Sequence, residues 1–206
     1  MNIDYIMYKC TLCQSQNSLN EVFTYITSAK KHVSILQCSE CMCFIPDFYE
    51  TSHWKQKNAI DDQVQFHNCW WSDEKPEDLK SLLLSMKEML VHYSQYIDPE
   101  KNRIIEIGAG RGALLAALRE SGSIAIGCEP SALLCAIAKT NYNLNEQVLY
   151  QESVQDFIQR ISSGHPIFLG QKPDRVFLWH VLEHVENPLE ILDRLLNVCS
   201  SDVKFI

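Results

Sequence analysis

The chain has 206 residues, 46% apolar and 21% charged, which suits one proper core with a small appendage and excludes a disordered segment. Its net charge of −8 falls entirely in residues 61–206, with thirteen basic and twenty-one acidic side chains; residues 1–60 balance at five each. An acidic surface of this kind argues against nucleic acid. No run reaches the roughly 18 apolar residues that span a bilayer, and residues 1–10 lack the apolar stretch of a signal peptide. The expectation is a cytoplasmic protein with no membrane partner.

Cysteine spacing is the first signal along the chain. Cys10 and Cys13 form one C-x2-C pair and Cys38 and Cys41 a second, twenty-four residues later. Four thiolates at this spacing suit one tetrahedral metal, with zinc the usual occupant. Between the pairs, Glu21–Thr27 and His32–Gln37 read as strands around a Ser-Ala-Lys-Lys turn, the layout of a zinc ribbon. So small a module has little apolar core, and the metal would supply much of its folding energy. The competing reading is buried free thiols or a disulfide pair, which nothing else supports in a chain without secretion signals. Cys43 is a rival ligand, while Cys69, Cys128, Cys135 and Cys199 are isolated and read as core residues. The module is expected over 1–45. Residues 46–76 then form an aromatic linker with Trp54, Trp70, Trp71, His53 and His67, expected to pack as part of a pocket wall.

From Glu77 onward, Leu79, Leu82, Leu83, Met86, Met89, Leu90 and Tyr93 mark one face of a helix, with Pro76 and two acids in its first turn. Strand-like and helix-like segments then alternate. The strands are Arg103–Ile107, Ser123–Cys128, Val148–Tyr150, Arg175–Trp179 and the start of another at Val203–Ile206. The helices are Gly112–Ser121, Ser131–Tyr142, Val154–Ser162 and Pro188–Val198, with a breaker-rich loop over Gly164–Pro173. Nearly continuous apolar strands between amphipathic helices predict an α/β domain, Rossmann-like, with a mostly parallel sheet covered on both faces.

"RIIEIGAGRGALLAAL", residues 103–118, is a strand, a glycine turn and a helix. Glycine there lets the backbone turn tightly and approach a ligand. "GAGRGA" also satisfies the dinucleotide pattern with Ala113 in its last slot, and Glu129 stands 21 residues beyond Gly108, where a carboxylate can accept a ribose diol. Both features fit NAD as well as another adenosine ligand. Glu106 separates them, because a carboxylate before the glycines repels a pyrophosphate but suits an ammonium group.

On these residues the sequence resembles the class I S-adenosylmethionine-dependent methyltransferases over roughly 78–206. "IIEIGAGRGALL" is similar to the family's first motif, "IAIGCEPS" to its second-strand motif, and "YQESVQDF" to the stretch after its third strand, with Ser153 where the family usually carries aspartate. "DRVFLWHVLEHVENPLEIL" resembles the fourth strand and the segment after it. The resemblance implies cofactor contacts at Glu106, Gly108, Ala109, Gly110, Glu129, Pro130, Ser153, Val154 and Trp179. His180 and His184 become candidate proton acceptors. The cysteine module is similar to a zinc-binding segment preceding such domains in some sugar and small-molecule methyltransferases. The implied cofactors are S-adenosyl-L-methionine and structural zinc, and the implied acceptor is a small molecule or sugar.

Two departures qualify that resemblance. Where the family commonly has a proline-glycine-glycine turn, the chain reads "NVCSSDVKFI" and stops, so a missing C-terminal segment or a partner is expected to complete the sheet. An inactive methyltransferase-like domain carrying a zinc-ribbon interaction module is the second reading, and an NAD-dependent oxidoreductase the third. "HVLEH" matches the H-x-x-E-H protease pattern, but that chemistry needs both histidines on one helix.

Overall fold

The computed structural model describes residues 10, 13, 15, 16, 18–26, 32–46, 76–185 and 187–206. The chain divides into two compact units, residues 1–59 and 60–206. No helix among the described residues is long and apolar enough to cross a membrane.

In the first unit β1 (Leu19–Ile26) pairs antiparallel with β2 (His32–Cys38), placing Leu19 opposite Cys38 and Ile26 opposite His32. A third strand, β3 (Phe44–Pro46), pairs with β2. The two expected strands are present; β3 has no counterpart in the sequence reading, being a three-residue stretch ending in proline. The Ser-Ala-Lys-Lys turn and the tryptophan-rich linker, with Cys69, His53 and His67, lie outside the described residues.

The second unit opens with α1 (Pro76–His92) and continues as β4 (Arg103–Ile107), α2 (Ala113–Glu120), β5 (Ile124–Cys128), α3 (Ala132–Tyr142) and β6 (Leu149–Tyr150). It ends with α4 (Val154–Ser162), β7 (Arg175–Phe177), α5 (Pro188–Val198) and β8 (Lys204–Phe205). The five strands are parallel in the order β6-β5-β4-β7-β8. This is the expected Rossmann-like class I methyltransferase fold. Strand β7 stops at Phe177 rather than Trp179, and Pro166–Phe168 forms a short 3-10 turn inside the expected loop.

Strand alternation divides the core. Ile104, Ala125 and Phe177 pack on one face with Leu83 and Met86 of α1, Leu115 and Leu118 of α2 and Ala138 of α3. Ile105, Ile107, Ile126, Cys128 and Val176 pack on the other with Phe157 and Ile161 of α4 and Ile191 and Leu195 of α5. Buried Asp174 joins the feet of β4 and β7, since its Oδ2 lies 2.8 Å from Arg103 Nη2 and accepts the Arg103 N–H. The connections reverse direction between β4 and β7. A parallel sheet opens its ligand crevice there, beyond the carboxyl ends of the strands.

Candidate cofactor cleft and cysteine cluster

Glu106 stands one residue before the end of β4, on the face that packs against α1 and α2. It is only 6% exposed, and its Oε2 has no hydrogen-bond partner among the described residues. Burial, and then the charge of Glu129, push its carboxyl up to about 8; the Leu115 N–H pulls the other way. Its neighbour across the sheet is Gly127, where a Cβ would lie 2.9 Å from the Glu106 carbonyl oxygen and 3.3 Å from its Cβ. Sequence reading passed over Gly127, although a glycine inside an apolar strand signals a close approach.

The turn after β4 uses its glycines differently. A Cβ at Gly108 would come within 2.7 Å of Val181 Cγ2, which brings the β4 turn against the segment after β7. Gly110, with φ +54°, faces open space, where a side chain would occupy room the fold leaves free. Ala109 is buried and donates its N–H to the Cys128 carbonyl. Beyond β5, both oxygens of buried Glu129 are engaged: Oε2 accepts the Gly110 N–H at 2.9 Å and Oε1 the Ser131 N–H at 2.8 Å. Glu129 thus ties the glycine turn to the start of α3. Pro130 beside it is exposed.

Glu106, Gly108, Ala109, Gly110, Glu129 and Pro130 therefore gather at the carboxyl ends of β4 and β5. Ser153 instead caps α4, its hydroxyl accepting the Asp156 N–H and donating to Asp156 Oδ2 at 2.6 Å. Val154 packs with the opposite core face.

Trp179 and His180 follow β7 at the crevice. Trp179 packs against Phe177 and Tyr93, with ring centroids 5.6 and 5.8 Å apart. His180 is exposed and held at φ +52°, a left-handed conformation that costs a non-glycine residue on the order of 1 kcal/mol and often marks functional sites. Both line an open trough of about 1130 Å³ whose other walls include Met86, Met89, Tyr93 and Leu182. His184 is exposed at the end of the 3-10 turn Leu182–His184. The two histidines share no helix, so H-x-x-E-H lacks the frame of a zinc protease.

In the first unit the sulfur atoms of Cys10, Cys13, Cys38 and Cys41 all lie within 4.8 Å of one another. The Cys10–Cys41 and Cys13–Cys38 separations are 3.7 and 3.6 Å. A tetrahedron with metal–sulfur bonds of about 2.3 Å has edges of about 3.8 Å, so the donor set fits zinc. Cys43 is not in the cluster; its carbonyl accepts the Cys38 N–H. Burial opposes ionisation of Cys38, yet the Cys41 N–H and the hydroxyls of Ser15 and Ser18 draw its thiol down to about 5. The serine hydroxyls lie 3.4 and 3.2 Å from its sulfur. Nothing in the cysteine spacing pointed to them.

Residues 84–206 match the family model described as a methyltransferase domain. Ubiquinone biosynthesis O-methyltransferase of Glaesserella parasuis serovar 5 (strain SH0165) is 28% identical over 157 residues, covering 70% of this chain and 62% of that protein. The chain therefore spans less than two thirds of that relative's length. A SAM-dependent methyltransferase from Archaeoglobus fulgidus is similar at 22% identity and a TM-score of 0.43, over 59% of this chain and 48% of that one. Magnesium protoporphyrin IX methyltransferase from Synechocystis PCC 6803 is similar at 16% identity and a TM-score of 0.38, over 74% of this chain and 68% of that one.

Proposed function

The chain belongs to the methyltransferase-domain family, and from that premise we propose that it transfers a methyl group from S-adenosylmethionine to a small-molecule acceptor. The observation that carries the reading is the orphaned, buried Oε2 of Glu106 near the end of β4; Gly110, in the turn that follows, faces open space. A buried carboxyl without a partner is costly unless a ligand supplies the missing cation or donor. The amino-acid tail of S-adenosylmethionine carries an ammonium group; the pyrophosphate of NAD carries the wrong sign.

In this assignment Glu106 receives the ammonium, the backbone of Gly108, Ala109 and Gly110 lies along the methionine part, and Glu129 and Pro130 flank the ribose. Glu129 arrives already oriented by two N–H donors, which leaves its remaining lone pairs for the diol. Ser153 and Val154 complete the adenine side through backbone, since the Ser153 hydroxyl is engaged as a cap. The bound sulfonium supplies an activated methyl group and a good leaving group. What remains for the chain is to hold the acceptor in line and exclude water. Trp179 supplies a rigid wall, and His180 is the candidate base for the proton an acceptor hydroxyl loses, with His184 the second candidate. The acceptor is a small molecule with an apolar body, because the trough beside His180 is walled by Met86, Met89, Tyr93 and Trp179. The curated relative's name, an O-methyltransferase of ubiquinone biosynthesis, fits that chemistry better than a sugar acceptor does.

For the domain layout we assign 1–45 to a zinc-ribbon module holding structural zinc on Cys10, Cys13, Cys38 and Cys41, 46–76 to a linker, and 77–206 to the methyltransferase-like domain. Titration with S-adenosylhomocysteine, with NAD as control, tests the cofactor. Micromolar binding of the former alone, lost in Gly110→Val, is expected. Unaltered affinity in that variant overturns the placement, and selective NAD binding overturns the function.

A further inference from the structure

Resting on that cofactor reading, we propose that ligand binding in this cleft drives a proton off Glu106: the carboxyl is neutral in the free protein and becomes the counter-ion of the ligand's ammonium group. Holding an ammonium there does not by itself require a proton to leave. The surroundings of Glu106 do.

The side chain is 6% exposed and its Oε2 meets neither donor nor cation among the described residues, so an ionised carboxylate would sit unsolvated. The elements packed around it offer little compensation. From β5 and the turn beyond it come Gly127 and Glu129, with the buried Cys128 thiol on the opposite face of the sheet. The Cys128 thiol is itself pushed up by burial and stays neutral. Burial pushes the Glu129 carboxyl up as well, while the Ser131 and Gly110 N–H groups pull it the other way, and charge on Glu129 opposes ionisation of Glu106. From β7 comes Phe177, which has no charge. The first turn of α2 has no acid and offers Glu106 only the Leu115 N–H. Arg111, in the glycine turn, is half-buried; burial pulls its guanidinium down and Tyr142 pushes it up. The carboxyl, at about 8, is therefore mostly protonated at neutral pH.

A ligand ammonium reverses the balance. It supplies the opposite charge at the orphaned oxygen, the O–H proton leaves to solvent, and a charge pair replaces a neutral acid. The atoms balance without a further reactant: neutral acid plus ammonium ligand gives the carboxylate–ammonium pair plus one solvated proton. The cleft then selects ligands by their positive tail, and its affinity varies with pH in a direction set by Glu106.

The test is calorimetric titration of the full chain with S-adenosylhomocysteine at pH 7, in buffers of low and high ionisation enthalpy. The paired probe is 5′-methylthioadenosine, the same nucleoside without the amino-acid tail. Close to one proton released per S-adenosylhomocysteine and none per methylthioadenosine is expected. Affinity for S-adenosylhomocysteine should tighten by roughly tenfold per pH unit from pH 6 toward 8, and that for methylthioadenosine should stay flat. Glu106→Gln should bind S-adenosylhomocysteine more weakly, without proton release or pH slope; if that variant fails to fold, the two-ligand comparison on the wild-type chain decides. Binding of both nucleosides with no proton exchange overturns the proposal and leaves the cofactor reading standing. Binding of neither by the folded protein overturns the cofactor reading and this inference with it.

Discussion

The two units of this chain are held together by different means. Residues 60–206 bury two apolar layers, one on each face of the parallel sheet, with Phe157, Phe177, Leu115 and Ile126 among the side chains fully removed from water. Among the described residues of the first unit, the buried cluster is Cys10 and Cys38, while Val22, Phe23, Ile26 and Phe44 remain about half exposed or more. Beside that cluster, Leu36 is the further buried apolar side chain among the described residues, which is little for a three-stranded sheet to stand on. With zinc on them, as proposed, the cysteines become its cross-link, and the C-terminal unit needs none. On that proposal the contrast teaches where each unit is vulnerable: one to loss of an ion, the other to loss of volume.

The largest expected effect breaks the comparison from the metal side. Treatment with a strong zinc chelator, or Cys38→Ser, should abolish the antiparallel sheet of the first unit, because metal binding and folding are one event in modules of this kind. Amide exchange should show loss of protection confined to residues 10–46, with 103–206 unchanged. Loss of protection in both units alike, or in neither, would contradict the division.

Next in size is a cut into the core of the second unit. Phe177→Ala removes a fully buried ring that packs against Trp179. About 3–5 kcal/mol of stability should go, read by denaturant unfolding, with metal retention by the first unit unaltered.

Per pH unit, a smaller effect comes from titration. The Glu106 carboxyl is raised above its unfolded value, so its contribution to stability is full below about 4.5 and is lost as pH rises through about 8. Across that window the ligand-free second unit should weaken by up to roughly 1.4 kcal/mol per pH unit, and Glu106→Gln should flatten the slope. An unchanged slope in the variant would place the titration elsewhere.

The smallest effect sharpens the site. Ser153→Ala deletes the cap of α4 and should cost about 1 kcal/mol of stability, with little change in affinity for S-adenosylhomocysteine. A large loss of affinity would give Ser153 a direct part in the ligand.

Legibility in the sequence tracked the range of the interactions. The alternation of buried strands and amphipathic helices is local, and so is the glycine turn; α4 and α5 run over the residues their periodicity predicted. The cysteine cluster was legible because two C-x2-C pairs carry their geometry in their spacing. Strand β7 ended two residues early because its pairing with β4 stops at Glu106 opposite Phe177, and the chain then enters the left-handed bend at His180. Nothing local announces where a neighbouring strand ends. The same holds for Glu129, whose two N–H donors come from Gly110 and Ser131 and meet only when the sheet forms. Ser153 was legible in another way: a serine three residues before Asp156 is a capping pattern. Glu106 could be placed on its strand from sequence, but its orphaned oxygen belongs to the folded core alone.

A crystal structure of the chain grown with S-adenosylhomocysteine is the most direct measurement. It should show the ligand's amino group on Glu106 Oε2, the nucleoside passing over Gly110, and its ribose against Glu129. A ligand bound elsewhere, or Glu106 Oε2 still without a partner in the complex, would contradict the account at its centre.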